Sequence, residues 1–133
     1  MGKPLTVFNG GTQVRAFTHV VDICSGIVLA MRKGKRGEAY NIGNPKNRVT
    51  INEMADLVLS VTGSTAGKVH VDPKTICGPL YEEANDKYPN ADRALLDLGW
   101  VPEFGARAVV EQTFEYMKNL PGDLRTQLCG RIV

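Results

Sequence analysis

Arg15 is the side chain of this sequence whose type and setting speak most directly of chemistry. It lies on a short β-rich run after the turn Asn9-Gly10-Gly11, flanked by Val14 and Ala16. A planar guanidinium offers two parallel donors and is the natural partner of a diphosphate. The competing reading is a strand arginine that is solvated or paired with a carboxylate. The other reactive side chains form no constellation. Tyr40, Tyr81, Tyr88 and Tyr116 are followed at the fourth position by Asn44, Asn85, Asp92 and Leu120, so no tyrosine has a lysine one helical turn on. His19 and His70 make no ligand pair, and Cys24, Cys77 and Cys129 are far apart with no Cys-x-x-Cys. That spacing argues against a disulfide framework and against a zinc site. We expect a reduced, cytoplasmic protein without a metal. His19, beside apolar residues, and Asp22, at a helix start, read as structural residues: a boundary histidine and a cap or first-turn carboxylate.

The elements that must position Arg15 are short. Leu5 to Phe8 reads as a strand, Asn9-Gly10-Gly11 as a turn, and Val14 to Thr18 as a second strand paired with the first. A helix follows over about Val20 to Lys33, with Val20, Ile23, Cys24, Ile27 and Met31 at helical spacing and Gly34 as its stop. Glu38 to Ile42 reads as a strand ending at Gly43-Asn44-Pro45. Thr50 and Glu53 form a capping-box pattern that opens a helix with the stripe Ile51, Met54, Ala55, Val58 and Val61, closed by Gly63. Lys68 to Val71 is a short strand broken by Asp72-Pro73, and Lys74 to Tyr88 has no clean period and reads as a loop. Asn90 caps a short helix, Ala91 to Leu98, stopped by Gly99; Ala106 to Asn119 is the last helix, with Val110, Phe114 and Met117 on one face. Four helices and four short strands, partly alternating, give an α/β or mixed α+β fold. The strands are too short and scattered for a full parallel sheet and look like pieces of a larger one.

The chain has 133 residues, the size of one domain. We place the domain at residues 3–120, followed by a tail, 121–133, without a clear pattern. The apolar fraction of 43% and charged fraction of 23% are ordinary for a globular protein. A net charge of +2 lacks the basic excess of a nucleic-acid binder. No apolar run is long enough to span a bilayer, and the N-terminal segment lacks the apolar core of a signal peptide. Met1-Gly2 with Thr6 meets the bare myristoylation pattern, but Leu5 to Phe8 reads as a strand there.

Three segments in order carry a resemblance: Gly11 to Asp22 (GTQVRAFTHVVD), Glu38 to Pro45 (EAYNIGNP) and Asp86 to Trp100 (DKYPNADRALLDLGW). With the terminal helix, Glu111 to Met117, they resemble the C-terminal part of the extended short-chain dehydrogenase/reductase family, which includes NAD-dependent nucleotide-sugar epimerases, 4,6-dehydratases and UDP-glucuronate decarboxylases. The resemblance covers about Lys3 to Leu120. It implies a substrate-binding role. Gln13, Arg15 and Phe17 match the family's Gln-x-Arg-x-Phe segment, whose arginine contacts the substrate pyrophosphate. Tyr40-Asn41-Ile42-Gly43 matches a strand that joins the edge of the dinucleotide-binding sheet, with Asn41 a candidate ligand contact. Tyr81 and Lys87 hold the spacing of a tyrosine and an arginine in UDP-glucuronate decarboxylases, where the tyrosine helps bind the UDP moiety and the arginine assists the chemistry. Lys87 keeps the charge but not the bidentate fork. Leu98-Gly99-Trp100 with Pro102 matches a structural signature. Glu82, Glu83 and Asp86 read as solvated carboxylates.

The resemblance also defines what is missing. The family moves protons with a Ser or Thr and a Tyr-x-x-x-Lys pair while NAD takes a hydride from the sugar C4. Its cofactor rests on a Gly-x-x-Gly-x-x-Gly turn at a helix N-terminus. This sequence has neither the pair nor the turn. We therefore expect no catalytic residue and no cofactor in this chain, with NAD implied only for the full-length family. The expected ligand is a UDP- or dTDP-sugar, with Gln13, Arg15, Asn41, Tyr81 and Lys87 as candidate contacts. The expected partner is an N-terminal catalytic half or a second copy in a homodimer, with neither nucleic acid nor membrane involved. The alternatives are a stand-alone binding module and a self-associating interaction module derived from the same domain.

Overall fold

The structure is a computed structural model that describes residues 2–129. Its elements in chain order are β1 (Leu5–Phe8), β2 (Val14–Ala16), α1 (Val20–Lys33), β3 (Arg48–Thr50), α2 (Ile51–Thr62), β4 (Lys68–Val71), the single turn α3 (Lys74–Cys77), β5 (Asp86–Lys87), a π-helical turn (Ala94–Leu98), α4 (Ala106–Asn119) and α5 (Gly122–Cys129). The architecture is mixed α/β, with short strands in two small sheets. One pairs β1 with β4 in parallel; the other has the order β3-β2-β5, antiparallel on one side of β2 and parallel on the other.

The hairpin expected of β1 and β2 does not form. β1 stays paired to β4 through its last residue, and the Asn9 N–H then bonds Val71 O at 3.0 Å. Asn9 and Gly11 take positive φ (53° and 67°) and turn the chain away into the second sheet. β2, expected to run to Thr18, ends at Ala16 and is the central strand of its sheet.

Helix ends follow local chemistry. Thr50 Oγ1 accepts from the Glu53 N–H, and the Glu53 carboxylate accepts from the Thr50 N–H at 2.7 Å, completing the capping box of α2. His19 caps α1, its Nδ1 accepting from the Val21 N–H at 3.2 Å. Asn90 Oδ1 accepts from the Asp92 N–H at 2.8 Å, but the helix expected over Ala91 to Leu98 winds into a π turn. The Trp100 N–H reaches Ala94 O at 3.1 Å, and Gly99 closes the turn at φ 70°.

The core lies where that turn meets α1. Ala91, Ala94, Leu98 and Trp100 are buried against Leu29, Ala30, Tyr40 and Ile42. Trp100, 2% exposed, donates its indole N–H to Asp22 O at 3.0 Å. Gly26 leaves room for this approach: a Cβ there would collide with Ile42 Cγ2 and lie 3.0 Å from Trp100 Nε1. Asp22, also 2% exposed, accepts from the Glu103 and Phe104 N–H groups at 3.0 and 3.2 Å. His19 stacks on Phe104 with ring centroids 4.2 Å apart. The buried Asn44 and Asn47 both donate to Phe104 O, at 3.1 and 2.9 Å.

Four further expectations change. The apolar stripe of α1 faces outward: Met31 is 82% exposed, Val20 66% and Ile27 50%, and Cys24 is exposed with them. The buried face is the other one, carrying Asp22 and Gly26, because Trp100 and Ile42 pack there. The segment Glu38 to Ile42 joins no ladder among the described residues, although Tyr40 and Ile42 pack on the core. The loop expected over Lys74 to Tyr88 contains α3 and β5, and the tail expected to be patternless contains α5. β3, which the sequence reading missed, owes its pairing to β2 rather than to any local pattern. Among the described residues no helix is long and apolar enough to cross a membrane.

Candidate functional site

The second sheet gathers the charged candidates. Val14 and Arg15 pair in parallel register with Asp86 and Lys87 of β5, so Arg15 stands directly beside Lys87. Register partners share a face of a sheet and successive residues alternate. Arg15 and Lys87 therefore belong to one face. Alternation assigns Arg48, the partner of Ala16, to the other face, where its guanidinium lies 3.8 Å from the Tyr88 ring centroid.

Arg15 is bound to the loop before β5. Nη1 donates to Val14 O at 2.8 Å and to Asn85 O at 3.3 Å; Nη2 donates to Ala84 O at 2.8 Å and to the Glu83 carboxylate. The Arg15–Glu83 ion pair is largely sheltered, its side chains 22% and 19% exposed. The second Glu83 oxygen accepts from the Tyr81 hydroxyl, and the Tyr81 ring meets Phe8 edge-on with centroids 6.1 Å apart. That hydrogen bond, with partial burial, holds the Tyr81 phenol above the usual tyrosine range. Gln13, two residues before Arg15, is buried, and its amide donates to Phe8 O at 3.4 Å. Its own carbonyl accepts from the Ile51 N–H at 3.2 Å, which ties β2 to the start of α2.

Arg15, Tyr81, Lys87 and Gln13 thus converge around one sheet and the loop feeding it. Asn41 stands apart: its amide donates to Asn90 O at 3.0 Å, and Gly43 beside it lies close against Pro89. Lys87 is exposed and has no ion pair among the described residues. Glu83 is the residue the sequence reading missed. It is not a solvated carboxylate but the bridge between Arg15 and Tyr81. The available signal was the placement of Glu82, Glu83 and Asp86 around Tyr81 and Lys87, both already candidates; the partner, 68 residues away, could not be read locally.

The register sets two cations on one sheet face. Among the described residues no three His, Cys, Asp or Glu side chains gather to hold a metal. The starts of α1 and α2 are closed by the protein's own caps, His19 and Thr50.

The chain is similar to known proteins in both sequence and backbone. The model of the NAD dependent epimerase/dehydratase family matches residues 1–43. UDP-D-apiose/UDP-D-xylose synthase 2 of Arabidopsis thaliana is 27% identical over 123 residues, which cover 86% of this chain and 32% of the relative. The UDP-D-apiose/UDP-D-xylose synthase of Oryza sativa subsp. japonica is 26% identical, with 86% and 31% covered. The structure of UDP-glucuronic acid 4-epimerase from Bacillus cereus in complex with UDP-glucuronic acid and NAD superposes with a TM-score of 0.77 at 28% identity, covering 90% of this chain and 37% of that one. dTDP-glucose 4,6-dehydratase from Bacillus anthracis gives 0.75 at 28% identity, covering 89% and 36%. The chain spans about a third of the length of the curated relatives it matches. By sequence and backbone together, the chain is similar to about a third of the length of NAD-dependent nucleotide-sugar epimerases and dehydratases of the extended short-chain dehydrogenase/reductase type.

Proposed function

We propose that this chain is the C-terminal, substrate-binding part of an NAD-dependent nucleotide-sugar epimerase, dehydratase or decarboxylase. Its task is to hold the diphosphate of a UDP- or dTDP-sugar. Arg15 supplies the bidentate donor and Lys87 a second positive charge. Gln13 ties the strand to Phe8 and to the start of α2, and Tyr81 borders the site. The observation that carries this reading is the parallel register of Arg15 with Lys87, which sets two cations side by side on one sheet face. The chain does not catalyse alone. Hydride and proton transfer belong to a part bearing NAD and a Tyr-x-x-x-Lys pair, and this sequence contains no such pair. Saturation-transfer NMR on UDP, dTDP and UDP-glucuronate tests the reading. Transfer to the nucleotide protons that is competed by inorganic pyrophosphate is expected. Absence of transfer from folded protein contradicts it.

A second reading has its own observation. The outward stripe Val20, Cys24, Ile27, Val28 and Met31 is an apolar face on an otherwise well-capped helix. Such a face favours association. On this reading the chain is a self-associating interaction module, and sedimentation velocity over a range of loading concentrations distinguishes the two. Concentration-dependent dimerisation without nucleotide binding supports the second reading alone.

A further inference from the structure

The diphosphate-binding arginine of the proposed site is already occupied by an anion from its own chain. Glu83 presents one carboxylate oxygen to Arg15 Nη2 and the other to the Tyr81 hydroxyl. A carboxylate across a guanidinium makes the same charge-assisted contact that a phosphate would make. The segment bearing it is held in an unusual way. Among the described residues, residues 79–84 reach the rest of the protein by hydrogen bonds only through Arg15, to Glu83 and to Ala84 O. The segment's other hydrogen bonds are internal or to its own start: Tyr81 to Glu83, and the Tyr81 N–H to Gly78 O at 3.1 Å. Gly78, at φ 98°, begins the segment in a conformation that side-chain-bearing residues rarely adopt, and Leu80 is 94% exposed. The segment is a strap with a glycine at one end and its latch on Arg15.

We propose that Glu83 is a built-in competitor for the nucleotide diphosphate: it latches the 79–84 strap onto Arg15 in the free protein, and the ligand binds by displacing it. This rests on the diphosphate reading of Arg15 given above. The exchange keeps an anion on the guanidinium, a more highly charged diphosphate replacing the carboxylate. Displacement also frees the Tyr81 hydroxyl, which then has a ligand oxygen within its choice of acceptors. Displacing Glu83 loosens the strap, which keeps its Ala84 O contact to Arg15 and the Tyr81–Phe8 ring contact, so Glu83 sets both the affinity and the mobility of the segment.

The test is calorimetric titration of inorganic pyrophosphate and of UDP into the wild-type chain, Glu83→Gln and Arg15→Ala, each checked for fold by circular dichroism. Removing the competing charge should tighten binding of both probes on the order of tenfold, the scale of one charge-assisted contact. Glu83→Asp, which keeps the charge but shortens the reach, should fall between the two and serves if Glu83→Gln does not fold. Strap amides 80–84 should exchange hydrogen faster in Glu83→Gln, and in wild type saturated with pyrophosphate. Unchanged or weaker binding by Glu83→Gln, with wild-type binding lost in Arg15→Ala, would overturn the latch while leaving the diphosphate reading intact; Glu83 would then be orienting Arg15. Failure of both wild type and Glu83→Gln to bind either probe would bring down the diphosphate reading and the latch with it.

Discussion

Arg15 and Lys87 are register partners in the parallel β2–β5 ladder, so two cations from positions 72 residues apart stand on one face of a three-stranded sheet. Neighbouring like charges repel unless an anion lies between or beside them. Glu83 supplies that anion to Arg15 alone, and Lys87 has no ion pair among the described residues. Lys87→Ala should therefore weaken UDP binding by about tenfold, the loss of one charge-assisted contact. It should leave the unfolding midpoint in place, because the side chain is exposed. Calorimetry and thermal unfolding of the same preparation check both halves.

Asp22 is the carboxylate on which the middle of the fold turns. It accepts two backbone N–H groups from the Glu103–Phe104 turn, and its own carbonyl takes the Trp100 indole proton. Asp22→Asn removes the charge and points an amide donor at a backbone donor. We expect a loss of roughly 2–3 kcal/mol, the cost of leaving buried groups unsatisfied. Denaturant unfolding measures it; a change below about 0.5 kcal/mol, the range of an ordinary surface substitution, would contradict this account.

Gly26 is required for space, not for backbone freedom. A methyl group there would meet Ile42 and the indole of Trp100. Gly26→Ala should destabilise by about 1–3 kcal/mol, as overpacking does, despite alanine's better helix propensity. Thermal unfolding of the variant provides the check. Stabilisation, as propensity alone would give, is the contrary result.

The capping box makes an acid-sensitive contribution. The Thr50 backbone N–H and hydroxyl both donate to the Glu53 carboxylate and hold it below the usual glutamate range. A carboxylate depressed on folding contributes stability that is fully present above its unfolded pKa, about 4.3, and lost as pH falls through the folded value. The unfolding midpoint of wild type should therefore drop below about pH 4, and Glu53→Gln should show a shallower drop over the same interval. Superimposable pH profiles would remove Glu53 from the account.

What was legible in the sequence was local. Thr50 and Glu53 are three residues apart, and their reciprocal bonds stand as the pattern implied. The bounds of α1 and α4, the strands β1 and β4 and the stop at Gly99 were read the same way. Pairings set by distant contacts were not. β1 finds β4 instead of its neighbour, and β5 is only two residues long and exists because β2 lies beside it. The helical period of α1 was correct, but the helix carries a second stripe, Asp22 and Gly26, and packing chose that one. At the proposed site, Gln13, Arg15, Tyr81 and Lys87 were named through the family resemblance, whereas Glu83 acquired its role only when the chain brought it to Arg15.

The central claim is that Arg15 reads a nucleotide diphosphate. Calorimetric titration of UDP into wild type and into Arg15→Ala tests it most directly. Saturable binding by wild type that is lost in a folded Arg15→Ala protein is the predicted result. Equal binding by the two proteins, or none by wild type shown to be folded, would contradict it.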